Sequence, residues 1–135
     1  MKVVLGIGCD RGTSLTTIEQ AVNQALAEAG VEPSAVHTVA SIDLKADETG
    51  LQALARQNGW PLVFHPARAL TRVPVPNPSE VVRHHVGTPA VAEAAALFTA
   101  GVGMENLLVE KLKRRGSDGR NVTVSVARMA NHEQG

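Results

Sequence analysis

Apolar residues follow two different periods along the chain, and these periods predict its secondary structure. Short runs rich in Val, Leu and Ile predict β-strands, whereas apolar residues spaced three or four apart predict amphipathic helices. The predicted strands span residues 1–8, 36–42, 61–64, 106–112 and 121–128. The predicted helices carry apolar stripes at Ile18, Val22 and Leu26, at Leu51 and Leu54, and over the nearly all-apolar residues 91–100. This order of strands and helices is typical of an α/β protein.

Capping residues predict where the first two helices begin and end. Ser14 or Thr16 is the expected N-cap of the first helix, and Gly30 is expected to end it. Asp47 stands where the N-cap of the second helix is expected, and Gly59 follows that helix. These assignments give Asp47 a structural role.

Two further helix starts combine a polar residue with proline. Asn77 and Thr88 are the expected N-caps, and Pro78 and Pro89 follow them at the first helical positions. Capping does not exclude a ligand contact by either polar side chain. In the apolar helix that follows Pro89, Glu93 is the single charge, so it either reaches solvent near the helix start or faces a polar site.

The fold class follows from the character of the first and last strands. Residues 1–8 do not alternate apolar with polar, which indicates a central strand buried on both faces. Residues 114–120 are rich in Gly and charge and predict a turn between the last two strands. We expect an α/β fold, a three-layer α/β/α arrangement with a mixed, mostly parallel sheet of about five strands and a C-terminal antiparallel hairpin. A single domain is expected over residues 1–130, with a loose tail at 131–135.

Composition narrows the function classes. Hydrophobic residues make up 44% of the chain and aromatic residues 2%, so the core must consist of aliphatic side chains. Thirteen basic and thirteen acidic residues cancel, which argues against a nucleic-acid partner. A single Cys excludes an internal disulfide, and no signal-peptide pattern or run of about 18 apolar residues occurs. We therefore expect a cytoplasmic protein with no membrane contact.

The segment 6–14, with the sequence GIGCDRGTS, joins the first predicted strand to the first helix. Glycines allow a ligand to approach the backbone, and the helix start at Ser14 offers N–H groups to carboxylates or phosphates. Arg11 adds a forked positive charge. The spacing G-x-G-x-x-x-G departs from the dinucleotide pattern G-x-G-x-x-G, so a structural βα turn is the simpler interpretation, and a nucleotide-binding regulator stays an alternative.

A second group of charges follows the second predicted strand. Asp43, Lys45 and Glu48 stand at its carboxyl end, where open α/β sheets bind ligands. Lys45 has no evident structural role. By contrast, His84 and His85 are adjacent and cannot form the i, i+4 pair of a helical metal site. We predict no metal site and no cofactor.

Four segments in series resemble the CobE/CbiG C-terminal family of cobalamin (vitamin B12) biosynthesis. They span residues 6–13, 42–48, 75–80 and 87–97, and their order and spacing match from Val3 to Arg128. The resemblance implies the three-layer fold, a cytoplasmic setting and a place in building the corrin ring. Longer members carry a preceding region, and the whole is associated with opening the lactone ring of a cobalt-precorrin. A stand-alone member implies pathway membership more firmly than a reaction.

The resemblance also implies a substrate-binding site for a precorrin or corrinoid intermediate. By motif it falls on two loops and five further positions: Gly8, Cys9, Arg11, Gly12, Thr13, Asp43, Lys45 and Glu48, followed by Asn77, Ser79, Gly87, Thr88 and Lys111. For Lys111 the alternative is a charged strand edge that blocks pairing. Corrin precursors carry acetate and propionate groups, which suit Arg forks, Lys charges and helix starts.

Two functions are consistent with this site. The first is a binding or delivery protein for the intermediate, with other corrin-pathway enzymes as further possible partners. The second is a hydrolase, with Glu48 or Asp43 as general base and Lys45 or Arg11 stabilising the oxyanion. Cys9 is either a small buried residue or, with a lowered pKa, a nucleophile or cobalt ligand.

Overall fold

The computed structural model describes residues 1–76 and 89–130. Within these ranges five strands form one sheet. Their bounds are β1 Val3–Cys9, β2 Val36–Ile42, β3 Leu62–His65, β4 Leu107–Arg115 and β5 Asn121–Arg128. The helices are α1 Leu15–Ala29, α2 Thr49–Asn58, α3 Ala67–Leu70 and α4 Pro89–Ala100, with 3-10 turns at Pro33–Ala35, Asp43–Lys45 and Met104–Asn106.

The sheet has the order β3-β2-β1-β5-β4, so β1 is central, as its continuous burial predicts. β1 pairs parallel to β2, and β2 pairs parallel to β3. β5 pairs antiparallel to both β1 and β4. Four of the five strands therefore point in one direction, and the mixed, mostly parallel sheet with a C-terminal hairpin is confirmed.

Helices cover both faces of the sheet, which confirms the three layers. On one face α1 and α2 pack on alternate β1 residues such as Leu5 and Ile7. On the other face Val4 joins a core formed mainly by alanines of α4. Gly6 allows this helix to come close, because a Cβ at Gly6 would lie 2.8 Å from the backbone nitrogen of Ala96. The scarcity of aromatic residues thus fits a thin, closely packed layer.

Some element ends differ from the prediction. β3 lies one residue later than expected and includes His65. β4 extends to Arg115, because Arg114 and Arg115 pair with Val122 and Asn121, so the turn is narrower than predicted. The guanidinium of Arg114 also bonds to the side chains of Gln20 and Gln24 on α1.

The helix starts show one wrong assignment. Ser14 caps α1 as predicted, with its hydroxyl accepting from the Thr17 amide, and Gly30 and Gly59 end α1 and α2. Asp47 does not cap α2; Glu48 occupies the N-cap position and makes no side-chain cap bond. The reason is that both carboxylates bond to the loop after β1 instead.

The apolar helix α4 begins at Pro89, as predicted, and Glu93 lies on it fully buried. Burial excludes the interpretation in which Glu93 reaches solvent. None of the helices in residues 1–76 and 89–130 is long and apolar enough to cross a membrane.

Candidate functional site

The candidate site lies where the loops after β1 and β2 meet. We define the first loop as residues 10–14 and the second loop as residues 43–48. Because β1 and β2 are parallel neighbours, both loops leave the sheet at the same edge. The sequence prediction that these loops are adjacent is therefore confirmed.

Arg11 joins the first loop to the second. Its Nη1 donates to the Leu44 carbonyl at 3.0 Å, and its two terminal nitrogens bond to the two oxygens of Asp47 at 2.9 and 3.0 Å. The same guanidinium lies 3.0 Å from Glu48 Oε2. Hydrogen bonding to Asp47 raises the pKa of Arg11, and hydrogen bonding to Arg11 lowers the pKa of Asp47. Sequence reasoning missed this role of Asp47, because its position also suits a helix cap.

Glu48 holds the first loop in place from the protein interior. Its side chain is 5% exposed, and Oε1 accepts from the Gly12 amide at 3.0 Å while Oε2 pairs with Arg11. The start of α2 is equally close, because a Cβ at Gly50 would lie 2.5 Å from the Thr13 carbonyl oxygen. These contacts hold the first loop in one conformation.

Lys45 and Cys9 lie beneath the two loops, 3% and 2% exposed. Burial raises the pKa of the Cys9 thiol to about 11, against the opposing charge of Lys45. This is opposite to the lowering that a nucleophilic Cys needs, and it favours the alternative of a small buried residue. The Thr13 hydroxyl, next to Cys9, donates to the Asp10 carbonyl at 2.6 Å.

The β4–β5 turn fixes the first loop from the other side. Asp118 accepts from the Ser14 and Arg120 amides, both at 3.0 Å, and these bonds lower its pKa to about 2. Asn121 donates its backbone and side-chain N–H groups to Asp10 at 2.8 and 3.0 Å. Aspartate in a turn is a recognisable sequence signal, but the pairing of Asp118 with Ser14 across 104 positions and that of Asn121 with Asp10 across 111 are not.

Hydrogen bonds within the chain occupy most N–H donors of the first loop. A phosphate-binding loop needs such donors free. Part of the helix start is also engaged, contrary to the expectation that it is available to a ligand, because Asp118 accepts from the Ser14 amide and the Ser14 hydroxyl accepts from the Thr17 amide. The donors are the amides of Asp10, Gly12, Thr13 and Ser14, and their acceptors are Asn121 O, Glu48 Oε1, Asp10 O and Asp118 Oδ2.

The expected site residues thus divide by exposure. Arg11, Gly12 and Asp43 are exposed, whereas Gly8, Cys9, Thr13, Lys45 and Glu48 are buried. Lys111 is half-buried in β4, and β5 lies between that strand and β1. Asn77, Ser79, Gly87 and Thr88 lie outside the described residues. Over residues 1–76 and 89–130, no three His, Cys, Asp or Glu side chains converge in a way that could hold a metal ion.

Comparison with known proteins identifies the family. The family model described as "Cobalamin synthesis G C-terminus" matches residues 3–127. This chain belongs to the CobE/CbiG C-terminal family of cobalamin biosynthesis. The resemblance carried by the four sequence segments is therefore confirmed.

Two relatives and one solved structure support this membership. The chain is 38% identical over 109 residues to Protein CobE of a Sinorhizobium species, covering 79% of this chain and 70% of that protein. It is 34% identical over 125 residues to a cobalt-precorrin-5A hydrolase of Priestia megaterium, but spans only 32% of that protein's length. The crystal structure of CobE, a protein from the cobalamin (vitamin B12) biosynthetic pathway, superposes with a TM-score of 0.68 at 28% identity, covering 96% and 93% of the two chains.

Proposed function

We propose that this protein binds a precorrin or corrinoid intermediate at the first and second loops and holds it for delivery. Family membership supports a cobalamin-pathway ligand. The observation that carries the choice of site is the exposed guanidinium of Arg11, which already holds a carboxylate in a two-point bond. A cytoplasmic setting, one binding domain over residues 1–130 and hand-over to another corrin-pathway enzyme are parts of this proposal.

Asp47 occupies the place that a ligand carboxylate would take. The side chains of Arg11 and Asp47 are 58% and 73% exposed, and ion pairs between exposed groups contribute little to stability. A ligand carboxylate can therefore replace Asp47 on the guanidinium at low cost. Glu48 stays in place beneath, because the Gly12 amide also binds it. Arg forks match carboxylates in two parallel bonds, which suits the acetate and propionate rim of a corrin precursor.

The same contacts favour binding over hydrolysis. A general base needs an oxygen that faces water or substrate. Both oxygens of Glu48 are engaged and the side chain is 5% exposed, while Lys45 is 3% exposed. Hydrolysis remains the second candidate, because the site combines one acid, Glu48, with two cations, Arg11 and Lys45.

An absorbance titration followed by mass spectrometry of the recovered ligand tests the proposal. The binding probe is cobyrinic acid, a corrin whose side chains end in free carboxylates. The mass measurement uses a cobalt-precorrin that still carries its lactone, because cobyrinic acid has no ester bond to hydrolyse. We expect a spectral shift, an unchanged ligand mass, and binding about tenfold weaker in Arg11→Gln, which loses a charge-assisted bond. Arg56→Gln, an exposed arginine at the end of α2, is the matched control and binds as the wild type does.

Two outcomes contradict the binding role. A changed ligand mass that Glu48→Gln abolishes, with binding retained, would identify a hydrolase. No spectral shift with this or other corrinoids would remove the proposed ligand. The nucleotide alternative predicts a rise in melting temperature with ATP or NAD; we expect none, because the N–H donors of the first loop are occupied.

A further inference from the structure

The turn between β4 and β5 places Arg120 beside the first loop. The Arg120 amide donates to Asp118 at 3.0 Å, and its carbonyl accepts from Gly116 at 2.9 Å. Asp118 also bonds to the first loop, and the residue after Arg120 bonds to Asp10. The backbone of Arg120 is therefore fixed on both sides by contacts to the loop that carries Arg11.

The side chain of Arg120 lies over Gly12. A Cβ built on Gly12 would be 3.9 Å from Arg120 Nη2, and both residues are exposed. Gly12 has φ +77°, a left-handed conformation that favours glycine, so this position stays open. A Cβ at Gly12 would already be in van der Waals contact with this guanidinium, so the glycine lets Arg120 lie close against the first loop.

Arg120 differs from Arg11 in whether an acidic side chain pairs with its guanidinium. Arg11 pairs with Asp47 and Glu48, whereas no ion pair joins Arg120 to an acid in the described part of the chain. The carboxylates of Asp118 and Asp10, which bond to the amides of Arg120 and of the residue after it, are already engaged, Asp118 by two amides and Asp10 by Asn121. The charge of Arg120 is thus available to an incoming anion without breaking an existing pair.

We infer that Arg120 is a second carboxylate-binding residue, and that the ligand's rim lies across Gly12 with one carboxylate on Arg11 and another on Arg120. This inference rests on the proposed function and adds the β4–β5 turn to the site. Two forked cations beside the first loop suit a macrocycle that carries several carboxylates on its rim. Arg120 binds a carboxylate without exchanging it for an internal acid.

The test compares cobyrinic acid with its methyl ester, which keeps the ring but lacks the charges. We expect Arg120→Gln to weaken binding of the acid about tenfold, and to leave binding of the ester unchanged. Arg115→Gln, an exposed arginine on the same hairpin, is the matched control and changes binding of the acid by less than about twofold. Melting temperatures should be unchanged in both variants, because both side chains are exposed.

The outcomes separate this inference from the proposed function. If the wild type binds the acid and Arg120→Gln binds it as tightly as Arg115→Gln does, Arg120 is outside the site and the proposed function stands. Equal loss of acid and ester binding in Arg120→Gln would contradict carboxylate recognition by this residue. If the wild type binds neither probe, both proposals are wrong.

Discussion

Arg11 meets two carboxylates that differ in burial, and the difference assigns them different roles. Glu48 is almost fully buried and holds the Gly12 amide, so it shapes the first loop. Asp47 is largely exposed, and its carboxylate bonds to the guanidinium of Arg11. One acid therefore belongs to the framework, and the other is exchangeable.

Asp47→Asn tests whether the exchange occurs. Removing the internal competitor frees the Arg11 fork, so we expect cobyrinic acid to bind about two- to fivefold more tightly. Glu32→Gln removes an exposed charge that lies before β2, at the opposite edge of the sheet from the two loops, and serves as the control. Weaker or unchanged binding in Asp47→Asn, measured by absorbance titration, would show that the pair has only a structural role.

The buried Cys9 thiol predicts how the stability of the fold changes with pH. The thiol has a pKa of about 11 in the fold against an ordinary value of 9.0. Below pH 9 the thiol is protonated in both the folded and the unfolded chain, so it adds no pH dependence. Between pH 9 and pH 11 the thiol loses its proton in the unfolded chain but keeps it in the fold. The free energy of unfolding therefore falls as pH rises, by about 3 kcal/mol in total.

Urea unfolding between pH 8 and pH 11 measures this fall, and Cys9→Ala is the comparison. The chain has no Tyr, and Lys residues titrate in both proteins, so the difference between the two slopes isolates the thiol. The wild type should lose stability faster than the variant across this interval. Equal slopes of the free energy of unfolding against pH in the two proteins would contradict a desolvated thiol at Cys9.

At the scale of elements, the close approach of α4 to β1 positions the site. β1 presents Gly6 to this helix, and a side chain there would meet the backbone at Ala92 and Ala96. The alanines of α4 complete a thin interface on this face of the sheet. The central strand is thus fixed between two helical layers, and the first loop leaves it from a rigid base.

Gly6→Ala should separate this helix from the sheet. The new methyl group overlaps backbone atoms that cannot rotate away, so we expect a loss of more than about 3 kcal/mol in the free energy of unfolding. Gly59→Ala is the control, because that glycine has φ +69° but open space around it, and a cost of about 1 kcal/mol is expected. Chemical denaturation of both variants gives the comparison, and similar losses would contradict the close packing at Gly6.

For the whole molecule, the sequence predicted the elements better than the contacts between them. Apolar periodicity and capping residues are local signals, and they gave β2 and the ends of α1 correctly. Arg11 reaches Asp47 across 36 positions, and Asp10 reaches Asn121 across 111. No local pattern records such pairs, so the roles of Asp47 and of the β4–β5 turn became visible only in the folded chain.

A second concave surface lies away from the loops. It is an apolar groove of about 620 Å³ between the segment after α3 and the end of α4, and its lining includes Val73, Pro74, Leu97, Phe98 and Val102. Its lining is mainly apolar, with one arginine, Arg72, whereas the loop site offers the two forked cations of Arg11 and Arg120. A corrin ring has apolar faces as well as a charged rim, so the surface on which it binds tests the proposed site.

Chemical-shift mapping of ¹⁵N-labelled protein during titration with cobyrinic acid shows whether the ligand binds at the loops or in the groove. We predict that the amides of residues 10–14, 43–48 and 118–121 shift together and saturate at one ligand concentration. Amides that line the groove at Phe98 should stay unchanged. Shifts confined to the groove, with the loop amides unmoved, would contradict a carboxylate-reading site at the carboxyl ends of β1 and β2.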